Sequence, residues 1–298
     1  MKPVKLIAMQ VVFLFVLNSG INANPFFDHR AVQNRKNELR SDANQGQGDR
    51  ENETIFKSIL ADQAVIWTSP LRLKGTDWLV WGSVALLTGI MIAYDEDIYA
   101  NIKEFQSGNG WVDAIGPVVT QMGDGLFNMA LIGSFYLGGL LFKDDRAKDT
   151  SRLLFMTFIH TGIVSQVLKH LSGRQRPSVD NGQDGWVGPQ GFFKRYTDDV
   201  SKYDAFPSGH TIVAWGSATV IASVYKEKAL IPVLSYFLAS MVALSRVTED
   251  THWLSDVFLG AVLGYAIGRF VVKKRSRKLN VMPAIHADGV GIGLYYTF

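Results

Sequence analysis

Eight residues in the second half of the chain have the types and spacing to act on an anion with several oxygens. Lys169 and Arg176 bracket HLSGRQ; Ser208, Gly209 and His210 follow Pro207; Arg246, His252 and Asp256 lie within SRVTEDTHWLSD. Arginine offers a bidentate fork to phosphate oxygens and lysine a point charge. Ser208 is a favoured helix N-cap and Gly209 allows close approach to the backbone, so PSGH reads as a helix entry whose amides can bind an anion. His210 then falls in the first turn. His252 and Asp256 are one helical turn apart, where a carboxylate can fix the tautomer of an imidazole and support the cation it becomes. Taken singly, each string also has a plain structural reading, as a basic surface turn or a capped helix start. Together they suit phosphate chemistry: three cations to grip, two imidazoles to attack and move a proton.

These strings sit at the ends of six apolar runs, at about residues 77–94, 125–142, 153–169, 209–225, 229–246 and 253–272. Their lengths lie at the lower end of what spans a bilayer as a helix, and charged hairpins separate them, which favours membrane spans over a soluble bundle. All motif residues then share one membrane face. The charged turns 143–152, 226–228 and 273–278 share the other, and the positive-inside tendency makes that other face cytoplasmic. The motif face is therefore expected to be periplasmic. A cleaved export signal conflicts with this, since six spans entered from outside would put the motifs in the cytoplasm; the three basic turns outweigh the parity count. Run six repeats small residues below its histidine (Asp256, Gly260, Gly264, Gly268), and run four does likewise (Ala214, Ala218, Ala222). Such stripes let helices approach closely. Runs four and six are expected to touch, with His210 and His252 at the same end.

The ends carry less information. Lys2 and Lys5, an apolar core and NSGINAN read as a signal peptide over 1–23 or, alternatively, an uncleaved anchor. Residues 24–76 read as a polar lead-in, most of it solvated. Residues 273–298 read as a basic turn followed by a short β-hairpin. The absence of cysteine excludes disulfides and thiolate chemistry, and a net charge of +3 with no basic face argues against nucleic acid. His29 and His286 look incidental, His160 is expected to hydrogen-bond inside the bundle, and His170 adjoins the site without an identifiable partner. Residues 178–206 read as an ordered loop over the site.

In order, the strings are Lys-x6-Arg-Pro, Pro-Ser-Gly-His and Ser-Arg-x5-His-x3-Asp. The pattern resembles the type 2 phosphatidic acid phosphatase superfamily, which includes lipid phosphate phosphatases, class A acid phosphatases and vanadium haloperoxidases. The resemblance covers about residues 77–272. It implies an all-α, six-helix membrane bundle with its active site at one membrane face. It also implies that His252 is the nucleophile, oriented by Asp256, and that His210 is general acid and then base. Lys169, Arg176, Arg246, Ser208 and the Gly209 amide would bind the phosphoryl group, with no metal or cofactor. The expected protein is a multi-pass enzyme of a bacterial inner membrane acting on a lipid phosphate or pyrophosphate. A soluble periplasmic acid phosphatase, a haloperoxidase and a non-catalytic lipid-binding or transport protein are the alternatives. The motifs do not select the lipid.

Overall fold

The computed structural model describes residues 55–179, 185–189 and 202–275, and the backbone alone of 280–286 and 289–295. The expected signal or anchor, the lead-in before residue 55, His29 and most of the loop 178–206 lie outside the described residues. Eight α-helices are described: α1 (Ile55–Thr68), α2 (Thr76–Ser107), α3 (Trp111–Thr120), α4 (Gly125–Leu141), α5 (Asp145–Ser172), α6 (Gly209–Val224), α7 (Leu230–Thr248) and α8 (Leu254–Arg275). The lead-in expected up to residue 76 is thus helical from Ile55. Strands β1 (Asn280–His286) and β2 (Gly289–Tyr295) pair antiparallel, Asn280 opposite Tyr295. Local sequence sets several helix ends. Asp124 and Asp144 cap α4 and α5 through their carboxylates. Gly173 ends α5 in the left-handed region, its amide donating to Lys169 O.

Each of the six apolar runs falls within a helix, but not each helix qualifies as a span. α2, α5, α7 and α8 are long and apolar enough to cross a membrane. α3 and α4, joined by a 3-10 turn at Gln121–Gly123 and bent by 58°, make a fifth if taken as one broken span. α6 has 16 residues, about 24 Å at 1.5 Å per residue, and is buried along nearly its whole length. It forms the axis of the bundle, packed on α5, α7 and α8. Apolar side chains such as Leu79, Leu86, Leu141, Val233 and Phe237 lie exposed on the outer helices, as lipid-facing surface requires. Apart from the β1–β2 pair, the described residues are helical, and the protein is a multi-pass membrane protein.

The motif-bearing ends of α5, α6, α7 and α8 meet at one end of the bundle. At the other end, Arg146 at the start of α5 binds Val224 O at the end of α6 and pairs with Glu227. α2 reaches the motif end with its C-terminal half, where Lys103 pairs with Asp250 at 2.9 Å and Tyr99 packs edge-on against Trp253. The 19 residue steps from Thr76 to Asp95 rise about 28 Å, so α2 starts near the basic-turn end. The parity question therefore falls on the chain before α1.

Candidate active site

Gly173 lets the chain turn sharply out of α5. Its φ is +52°, and a side chain there would also collide with the backbone of Gly188. The segment that follows is stitched back by Gln175 N to Gly185 O at 2.8 Å and Arg176 N to Lys202 O at 3.0 Å. This brings Lys169 and Arg176 onto one carboxylate: Lys169 Nζ donates to Asp204 Oδ2 at 3.2 Å and Arg176 Nε to Asp204 Oδ1 at 2.8 Å. Burial alone pushes the Asp204 carboxyl up, but the Lys169 and Arg176 charges outweigh it and hold it below the usual range.

His252 precedes α8 and is buried. Its Nδ1 lies 2.7 Å from Ala205 O. A carbonyl can only accept, so Nδ1 carries the proton and Nε2 keeps its lone pair. Asp256 is not the hydrogen-bond partner expected from the one-turn spacing: Oδ2 lies 3.7 Å from Nδ1, near enough to act as a charge only. Its oxygens are otherwise engaged, Oδ2 by Trp253 N at 2.8 Å and Oδ1 by Arg174 Nη1 at 2.6 Å. Desolvation, followed by the charges of Lys169, Arg176 and Arg246, holds the His252 pKa well below the ordinary value.

His210 stands half-buried in the first turn of α6, within the field of the same three cations. Ser208 occupies the N-cap position without capping; its hydroxyl accepts from Thr211 Oγ1 at 3.0 Å and its amide donates to Asp256 O at 3.1 Å. Gly209 faces the Lys169 head: a Cβ on it would lie 3.8 Å from Nζ.

α6 and α8 make the most extensive helix contact among the described residues, as the small-residue stripes predict, but on a different face of α6. A Cβ on Gly260 would meet Ser208 O at 2.9 Å, one on Gly264 would meet Gly216 N at 3.0 Å, and one on Gly268 would meet Gly216 O at 2.8 Å. The glycine stripe therefore runs parallel to Ser208, Ile212, Gly216 and Thr219. Ala214 and Ala218 fall in a separate cluster with Ala239 and Val242 of α7 and Ala261 of α8. Both stripes are interfaces; α6 simply has more than one.

Arg246 is buried at the end of α7, donating to Glu249 Oε2 at 2.6 Å and to Thr120 Oγ1. Thr120 belongs to the break between α3 and α4. Three residues on, Gly123 lies so close to His210 and Val242 that a Cβ would come within 2.8 Å of each. The break thus forms a wall of the site, a role absent from the sequence reading.

All eight candidate residues lie at this end. Sequence reasoning missed Asp204 and Arg174, although both lie inside or beside the motif strings. It also missed Asp95: run one was ended at residue 94 because charges begin there, yet α2 continues to Ser107. A carboxylate within an apolar membrane helix is costly and usually functional, and that signal would have found it.

The sequence model of the PAP2 superfamily matches residues 150–279. The chain is 35% identical over 77 residues to a lipid A 1-phosphatase of Porphyromonas gingivalis, covering 26% of this chain and 17% of that protein. It is 30% identical over 131 residues to a PA-phosphatase related-family protein of Dictyostelium discoideum, covering 40% and 45%. A solved PAP2-type phosphatidylglycerolphosphate phosphatase from Bacillus subtilis aligns over 65% of this chain and 94% of that one, with 20% identity and a TM-score of 0.49. The chain spans less than half the length of these two curated relatives. All three motif strings lie within residues 150–279, the stretch that matches the PAP2 superfamily.

Proposed function

We propose that the protein hydrolyses a lipid phosphate or pyrophosphate through a phosphohistidine intermediate. The observation that carries this reading is the setting of His252: the Ala205 carbonyl holds Nδ1 and leaves Nε2 to attack, and the charges of Lys169, Arg176 and Arg246 bear on the ring. Lys169, Arg176 and Arg246 bind the phosphoryl oxygens with the α6 N-terminal amides and Ser208. Nε2 of His252 attacks phosphorus while the bond to the lipid oxygen breaks, and His210, protonated beside the negative charge of the bound phosphate, gives its proton to that oxygen. Water then attacks phosphorus, His210 takes a proton from it, and the P–N bond breaks to release phosphate. Asp256 supports the imidazolium as a charge, and the Ala205 carbonyl orients it. The cations supply the positive charge the phosphoryl group needs, so the proposed reaction uses no metal.

The resemblance and the lipid phosphatases among the relatives support a lipid substrate. The basic turns opposite the site support a periplasmic face for it and a bacterial inner membrane as its location. We read six crossings, by α2, α4 (with α3), α5, α6, α7 and α8, with the C-terminal strands as an appended hairpin. A purified detergent preparation is tested against phosphatidate, phosphatidylglycerol phosphate, polyprenyl pyrophosphate and lipid A phosphate. Phosphate release is expected in EDTA, blocked by vanadate, and reduced at least about a thousandfold in His252→Ala. Equal release by wild type and variant would favour a non-catalytic lipid-binding or transport role.

A further inference from the structure

Beneath the site lies an ionic cluster of which the reaction above uses only Asp256. Arg174 is fully buried between two fully buried carboxylates. Its Nη2 donates to Asp95 Oδ2 at 2.8 Å, and its Nη1 donates to Asp256 Oδ1 and Ser255 Oγ, each at 2.6 Å. Asp95 also accepts from the Ser255 hydroxyl and, at 3.1 Å, from the Ser255 amide. The guanidinium carbon sits 4.7 Å from the Trp186 ring centre and 5.4 Å from that of Trp253.

Two routes lead from Arg174 to the His252 imidazole. Through its side chain it holds Asp256, whose other oxygen binds the amide of Trp253, next to His252. Through its backbone, Arg174 O accepts from Ala205 N at 3.0 Å, and Ala205 O receives the Nδ1 proton of His252 at 2.7 Å. The same residue thus bears on both the tautomer and the location of the imidazole. Stability alone is a weak reason for such a cluster. Replacing a buried ion pair with apolar groups is commonly neutral or favourable, and charges within a membrane bundle are costly.

We propose that Asp95 is a positioning residue for His252, acting through Arg174, and that α2 is therefore part of the catalytic apparatus although it lies outside the family match at 150–279. Asp95 touches no substrate. It fixes the rotation of Arg174, and Arg174 fixes Asp256 and the Ala205 segment around the nucleophile. A sub-ångström displacement of an attacking atom is enough to slow a reaction strongly.

The inference rests on the phosphatase reading, and the test separates the two. Wild type, His252→Ala and Asp95→Asn are compared in detergent on whichever of the four lipid phosphates wild type turns over fastest. Asp95→Asn is expected to lower kcat by about 10- to 100-fold, to change KM by less than about threefold, and to slow formation of acid-quenched phosphohistidine in proportion. The double variant Asp95→Asn/Arg174→Gln removes both charges and covers the case in which the single variant folds poorly. It should match the wild-type unfolding midpoint yet remain slow. Wild-type kcat in Asp95→Asn with an inactive His252→Ala overturns this inference and leaves the phosphatase reading intact. So does recovery of kcat in the double variant, or failure of both variants to fold, since the cluster would then be only structural. An active His252→Ala instead removes the phosphatase reading.

Discussion

Free histidine is half-protonated near pH 6.5 and, once protonated, has no lone pair for attack. In this site burial and the fields of Lys169, Arg176 and Arg246 push the His252 pKa down. In the proposed mechanism the neutral form is the nucleophile, so a lowered pKa extends the active range toward acid. The acid limb of kcat/KM in wild type is expected well below pH 6.5, because that profile reports the free enzyme. Arg246→Gln should move the limb up toward 6.5 as well as lower the plateau. The substrate titrates identically in both proteins, so a difference in limb position reads the enzyme; an unmoved limb would contradict the assigned field. Asp204 qualifies the picture. Before any phosphate arrives, the Lys169–Arg176 pair already holds a buried carboxylate, so the substrate meets a fork whose geometry is preset and whose net charge is halved.

At the scale of helices, the glycine stripe of α8 is the feature with the least tolerance. Gly264 has no room for a side chain beside Ile212, Trp215 and Gly216, whereas Gly133 on α4 has nothing within 4 Å of a Cβ. Gly264→Leu is therefore expected to lower both the unfolding midpoint and activity, at an overpacking cost of about 1–3 kcal/mol or more. Gly133→Leu should leave both unchanged, and equal behaviour of the two variants would remove the packing argument. The positions of the helices were legible in the sequence because apolar runs and capping residues are local signals. The eight candidate site residues were legible because histidine, lysine and arginine at helix ends are chemically conspicuous. The α6 face was not: Ala214, Ala218 and Ala222 form as good a stripe as Ser208, Ile212, Gly216 and Thr219, and only a third helix decides between them. The partner of His252 was hidden for a different reason. Ala205 acts through its carbonyl, which every residue has, so residue type carries no trace of it.

For the molecule as a whole, the outer helices present apolar side chains where a soluble protein would present charges. The protein is expected to stay with membranes through osmotic shock and carbonate washing and to be released by detergent; release by shock alone would restore the soluble acid-phosphatase alternative. α1 is tied to this body by polar contacts. Asp62 lies 2.7 Å from Lys274 Nζ and 3.3 Å from His160 Nε2, and Gln63 Nε2 donates to His160 Nδ1 at 3.0 Å. His160 is thus the in-bundle hydrogen-bonding residue expected of it, engaged with a helix that the lead-in reading did not anticipate.

The parallel contact of α6 and α8 has a mechanical consequence. His210 opens one helix and His252 immediately precedes the other, and where the glycine stripe runs, main chain rests almost directly on main chain. The gap between the two imidazoles is therefore gauged by backbone, the stiffest part of a protein, without a compressible layer of side chains between. When the surrounding bilayer thickens or thins, α2, α4 and α7 can tilt at the periphery to follow it. The central pair is insulated from that adjustment, so the two imidazoles keep their spacing in membranes of differing thickness.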